Sequence, residues 1–213
     1  MLEFSYLCFL LFLLIFVFYI GKSNLTLSPK KIKKYISILL LPLILKYCVL
    51  LISFFIEKQQ FMYYLKYFHY INYFSIPLAI IVSLYIYLRN EKIKFSHMYI
   101  FVAIFGIVYL FIISNYFFNI KVDSSFGYII LITDGIVPNL IYLIIIASSF
   151  IYTLINHDKP YSNRIGIRFL LMALMLYLVE YILHLGGIML YPYPIIGEGL
   201  VLFILLRAIN TFN

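Results

Sequence analysis

A chain of 213 residues that is 65% hydrophobic and only 11% charged lacks the polar surface of a soluble domain, which is usually about 25% charged. Its formal net charge of +8 does not point to nucleic acid, because the basic residues gather in short connectors between apolar runs, the pattern that orients membrane proteins. The composition therefore predicts an all-α integral membrane protein in contact with a lipid bilayer, with no nucleic-acid partner.

Residues 2–20 form the first apolar run. Glu3 precedes it and positive charge follows it, the reverse of a signal peptide, so a retained helix is expected. Lys22, Lys30, Lys31, Lys33 and Lys34 then make a dense basic connector, expected in the cytoplasm. Asn24-Leu25-Thr26 matches a glycosylation sequon but would be inert on that side. The second span, Tyr35 to Ile56, carries Pro42 and Lys46, and the next connector carries Glu57, Lys58 and Lys66.

A third span is predicted from about Tyr67 to Leu88, with His69, Asn72 and Pro77 inside it, before the basic connector of Arg89, Lys92 and Lys94. The fourth runs from about Met98 to Phe118 and leads to a balanced loop holding Lys121 and Asp123. The fifth lies in the apolar stretch from Gly127 to Ile155, and Lys159, Arg164 and Arg168 follow it. The sixth, from Arg168 to Leu185, leads to an uncharged connection containing Gly186, Gly187, Pro192 and Pro194. The seventh, from Ile195 to Arg207, is short: at 1.5 Å per residue it reaches only about 20 Å, so it must recruit Tyr191–Pro194 or let Arg207 snorkel.

These spans use every apolar run, so residues 1–213 read as a single seven-helix domain without a soluble part. The basic residues other than Lys46, Lys58, Lys66 and Lys121 all fall in connectors on one side or in Arg207. The positive-inside rule then places the N-terminus outside and the C-terminus in the cytoplasm of a multi-pass cell-membrane protein.

Ionisable groups inside such spans cost roughly 2.5–3.5 kcal/mol each on insertion scales and mark candidate sites. Asp134, Gly135, Pro138 and Asn139 interrupt the fifth span. A helix over residues 127–155 would exceed the hydrocarbon core, so its outer end is expected to protrude or break. Centred on Ile141, it sets Asp134 just inside the outer boundary and Asn139 near mid-membrane, with a kink at Pro138 that frees the carbonyl of residue 134. Otherwise the helix proper starts near Asp134, which is then solvated at the interface. Glu180 and His184 lie one turn apart on one helix face, with Glu180 near the midplane. Glu198 sits between Gly197 and Gly199, which admit close approach of another backbone. Lys46, at the depth of Glu180, is the natural counter-charge. Glu180 is expected to face the bundle interior, within reach of His184 and of Lys46, Asp134 or Glu198.

The pair Glu180 and His184 lacks the third protein ligand that zinc normally takes, so no metal is expected. Cys8 and Cys48 stand alone in apolar runs and read as small hydrophobes. The 22 tyrosines and 21 phenylalanines read as lipid-facing and interfacial side chains. No GxSxG, HExxH, Walker, CxxC or dinucleotide-binding glycine pattern occurs, so no cofactor is expected.

The reading this supports is a transporter-like or receptor-like protein whose outward acidic cavity handles a proton, a cation or a small basic solute. Asp134, Asn139, Glu180, His184 and Glu198 would line that cavity, with Lys46 balancing their charge. Two alternatives stay open: an intramembrane enzyme acting on lipid, with Glu180 or His184 as base, and a structural or regulatory subunit whose charges pair with a membrane-protein partner. No nucleophile accompanies the base, so an enzyme is the less favoured of these readings.

Overall fold

The computed structural model describes residues 2–56, 59–89, 94–123, 125–188 and 190–212. Glu57, Lys58 and Lys92 of the predicted connectors lie outside the described residues. The architecture is an all-α bundle with seven helical segments long and apolar enough to cross a membrane. The helices are α1 (Leu2–Leu27), α2 (Lys30–Phe55), α3 (Gln59–His69), α4 (Asn72–Leu88), α5 (Met98–Asn115), α6 (Ile136–Ile155), α7 (Arg164–Leu185) and α8 (Ile195–Ile209). Two strands, β1 (Phe118–Asp123) and β2 (Gly127–Ile132), pair as an antiparallel hairpin between α5 and α6.

α1 does not end where its apolar run ends. Nothing between Ile20 and Leu27 forbids helix, so α1 continues through Lys22 and only Ser28 and Pro29 separate it from α2. The basic connector is thus mostly helix end. Asn24 of the sequon is buried there, and its Nδ2 donates to the Lys33 carbonyl at 3.0 Å and to Ser37 Oγ at 3.3 Å, tying α1 to α2.

The third span is a jointed segment, α3 and α4, broken at Tyr70–Ile71. Pro77 has no N–H to give the Tyr73 carbonyl, and its ring crowds that carbonyl, so the ladder is weakest just upstream of it. α4 is the hub of the bundle, packed against α2, α5, α6, α7 and α8. All of its residues except Phe74, Ile81 and Tyr85 are buried. In lipid such packing depends on close backbone approach more than on expulsion of water. Gly166 of α7 supplies one such approach, lying so near the Tyr87 ring that any Cβ would collide with it.

The fifth span departs from a straight helix near Asp134, as expected, but by a late helix start and not by a kink. There is no kinked helix over 127–155: residues 127–132 form β2, a turn follows, and α6 begins at Ile136. Ile129, Ile130 and Ile132 are β-branched and suit a strand. Pro138 falls in the first turn of α6, where no intrahelical donor is required, so it starts a helix rather than bending one. Asn139 therefore lies in that first turn, about 5 Å from the start of the helix and not at mid-membrane.

The hairpin has its own local logic. Asp123 Oδ1 accepts the N–H groups of Ser125 at 2.8 Å and Phe126 at 3.1 Å, and Gly127 takes φ +72°, which closes the turn. Gly127 also lies against α2, where a Cβ would stand 3.0 Å from Phe54 Cα and from the Ser53 carbonyl.

The seventh span is longer than expected. α8 continues past Arg207 and ends in a 3₁₀ turn at Asn210–Phe212, giving a segment of 18 residues. Arg207 is not a terminus but sits 4.0 Å from the Phe169 ring centroid, a cation–π contact with α7.

Candidate ligand-binding site

At the hairpin end of the bundle lies a cavity of about 450 Å³. Several elements wall it. α2 contributes Lys46, the α3–α4 joint contributes His69, Tyr70, Asn72 and Tyr73, α6 contributes Asn139, and α7 contributes Tyr181 and His184. β2 and the segment Pro192–Pro194 close over it. His69 ends α3, Tyr70 stands at the break, and Asn72 and Tyr73 begin α4.

Asn139 organises one side. Its Oδ1 accepts the hydroxyls of Tyr73 at 2.5 Å and Tyr181 at 2.9 Å, and those hydroxyls stand 3.3 Å apart. Its Nδ2 makes no hydrogen bond among the described residues, which leaves two N–H donors free. Tyr142 stacks on Tyr73 with centroids 4.5 Å apart and meets the Tyr177 hydroxyl at 2.7 Å. Four tyrosines from α4, α6 and α7 thus satisfy one another or Asn139, as buried phenols must.

His69 is held from behind. Its Nδ1 is 3.2 Å from the Leu65 carbonyl and its Nε2 is 3.2 Å from Ser53 Oγ. A carbonyl only accepts, so Nδ1 carries the proton and Nε2 is an acceptor that competes with the Val49 carbonyl for the single Ser53 hydroxyl proton. That pair resembles a hydrolytic dyad in outline only. Ser53 is buried, also reaches the Val49 carbonyl at 2.7 Å, and does not line the cavity.

The carboxylates are elsewhere, and this corrects the expectation of an acidic cavity. Glu198 is fully buried and pairs with the Lys46 ammonium, while the Tyr47 hydroxyl donates to its second oxygen at 3.0 Å. Lys46 is thus matched by Glu198 rather than Glu180. Lys46 borders the cavity and Glu198 lies behind it.

Glu180 faces the start of α8, where its oxygens accept the N–H groups of Ile196 at 3.1 Å and Gly197 at 2.5 Å. A carboxylate there satisfies unpaired donors and favours the positive end of the helix dipole. Gly197 must be glycine, since a Cβ would stand 2.8 Å from Glu180 Oε2 and collide with the Tyr177 ring. Glu180 makes no hydrogen bond with His184. Asp134 is exposed in the turn before α6 at φ +53°, a left-handed conformation that Asp tolerates, and does not reach the cavity. Of the six residues singled out from sequence, Lys46, Asn139 and His184 line one space, and Asp134, Glu180 and Glu198 do not.

His69, Asn72, Tyr70, Tyr73, Tyr181 and Tyr193 join them, although sequence reasoning gave the tyrosines to lipid. The available signal was spacing: Tyr70 with Tyr73, and Tyr177 with Tyr181, repeat at helical intervals beside His69 and His184.

Fold and site together define a multi-pass membrane helical bundle with a polar cavity near one end. No protein-family model matches the sequence, and no curated protein matches it. Among the described residues, no group of three or more His, Cys, Asp or Glu side chains is placed to hold a metal ion.

Proposed function

We propose that this protein binds a small polar solute in the tyrosine- and histidine-lined cavity, as a receptor or transporter of the cell membrane with the hairpin end outside. The observation that carries this is the concentration of hydrogen-bonding side chains around one space inside an otherwise apolar bundle. Its volume, about 450 Å³, falls within the range of small-molecule sites, about 300–1,000 Å³. The lining argues against the cation or basic solute expected from sequence. Among the described residues no carboxylate lines the cavity, and its one formal charge, Lys46, is neutralised by Glu198. An uncharged or zwitterionic solute with several hydrogen-bonding groups suits such walls.

Water access and protection test this. In a background with Cys8 and Cys48 replaced by serine, Asn72→Cys should react with a charged, membrane-impermeant thiosulfonate added from the hairpin side. A panel of sugars, polyols and amino acids should contain a solute that slows the reaction about tenfold when present at ten times its dissociation constant. If the Asn72→Cys variant is inert while Val122→Cys, at an exposed position, reacts, no solute reaches the cavity and the proposal fails.

A further inference from the structure

We propose that the ligand is a single-chain amphiphile, with an uncharged hydroxyl-bearing head in the polar cavity and its alkyl chain in a neighbouring groove between α7 and α8. This rests on the cavity being a binding site and adds what kind of molecule it takes. The groove encloses about 340 Å³, and its walls include Leu176, Val179 and Leu183 of α7 and Ile196 and Leu200 of α8. Cavity and groove share His184, Tyr193 and Pro194, so the polar space and the apolar one adjoin at these side chains.

The groove faces outward. Leu176, Val179 and Leu183 are exposed and follow one another at helical spacing, forming a stripe about 10 Å long where a spanning helix meets acyl chains. Apart from His184, its polar side chains are engaged. Both oxygens of Glu180 hold the start of α8, and the Tyr191 hydroxyl donates to Ser5 Oγ at 3.1 Å. Apart from His184, which it shares with the cavity, the groove therefore offers a chain contact without an unspent hydrogen bond for a head group.

The cavity is the converse. Asn139 Nδ2 is free, and the half-buried His184 ring makes no hydrogen bond among the described residues. The Lys46 charge is already matched by Glu198. Hydroxyl and ester oxygens fit these donors and acceptors, whereas a net charge finds no opposite.

Moving a chain from bilayer to groove exchanges one apolar environment for another, so it contributes little free energy. Selectivity then resides in the head, and the chain sets orientation and a lateral route between α7 and α8.

The test uses the full chain in phosphatidylcholine nanodiscs with a monoacylglycerol carrying a mid-chain diazirine. Crosslinks are expected on residues 176–183 and 196–200, several-fold above those on the lipid-facing stripe of α5 around Ile107, and excess unlabelled monoacylglycerol should remove them. Asn139→Leu should weaken them by removing the head's donor. Leu183→Trp should remove them by filling the groove, while solute protection of the Asn72→Cys thiol persists when the two substitutions are combined. The natural chain contains no Trp, so its fluorescence also reports that this variant is folded. Labelling spread evenly over α5 and α7, or unchanged by Leu183→Trp, overturns the amphiphile proposal, while intact protection of the Asn72→Cys thiol keeps the solute site. Absence of solute protection in the Asn72→Cys variant together with even labelling overturns both.

Discussion

Lys46 and Glu198 carry opposite charges at positions 1% and 0% exposed, so each depends on the other for its ionised state to be tolerable. Desolvating two ions can cost as much as their attraction returns, so the pair need not add net stability. It makes single losses severe instead. Glu198→Ala or Lys46→Ala should each destabilise by about 3–5 kcal/mol, whereas Lys46→Met with Glu198→Leu should unfold close to the unmodified protein. Thermal unfolding in detergent compares them, and a double variant that loses the sum of the two single losses would show that the pair is not coupled. Such a result would also remove the reason for treating the cavity as electrically neutral.

Prolines and glycines act differently according to the element that holds them. Pro138 occupies the first turn of α6, so Pro138→Ala should change stability by no more than about 0.5 kcal/mol. A large loss would restore the kinked-helix picture. Gly127 combines φ +72° with a tight seat against Phe54 and Ser53, so Gly127→Ala should cost about 1–3 kcal/mol and loosen the hairpin from α2. Faster amide exchange across residues 118–132, with α5 unchanged, is the expected signature. The hairpin matters to the site because Tyr70 donates to the Ile130 carbonyl at 3.0 Å, and the Ile130 N–H donates to Tyr193 at 2.9 Å. Its loss should therefore also slacken the cavity wall.

The whole molecule is polar in the literal sense, with two unlike ends. One gathers Lys31, which meets Tyr99, and Asn163, which meets Tyr87, along with the lysine-rich start of α2. The other carries the hairpin, the α3–α4 joint, Ser5 bonded to Tyr191, and the cavity. Positive charge on the first end should orient it toward the cytoplasm by the positive-inside rule. The Val122→Cys variant should accordingly react with an impermeant maleimide on intact cells, and Lys159→Cys only after permeabilisation. The opposite pattern would invert the protein and move the cavity to the cytoplasmic face.

Apolar run length and the clustering of lysine and arginine were enough to show a membrane bundle of seven spans, because hydrocarbon thickness and backbone hydrogen bonding admit few alternatives. The same cost argument singled out Lys46, Asn139 and His184, and the structure brings these three to one cavity. Sequence could not say which charge meets which, since depth along a helix leaves rotation about its axis and the choice of neighbour undetermined. By depth alone Lys46 could meet Glu180 or Glu198, and only packing chose Glu198. Nor could residue type separate a tyrosine facing lipid from one facing Asn139. That distinction arises at the Tyr70–Ile71 break and at the contacts of α4, α6 and α7, where distant segments meet, and tertiary structure alone decides it.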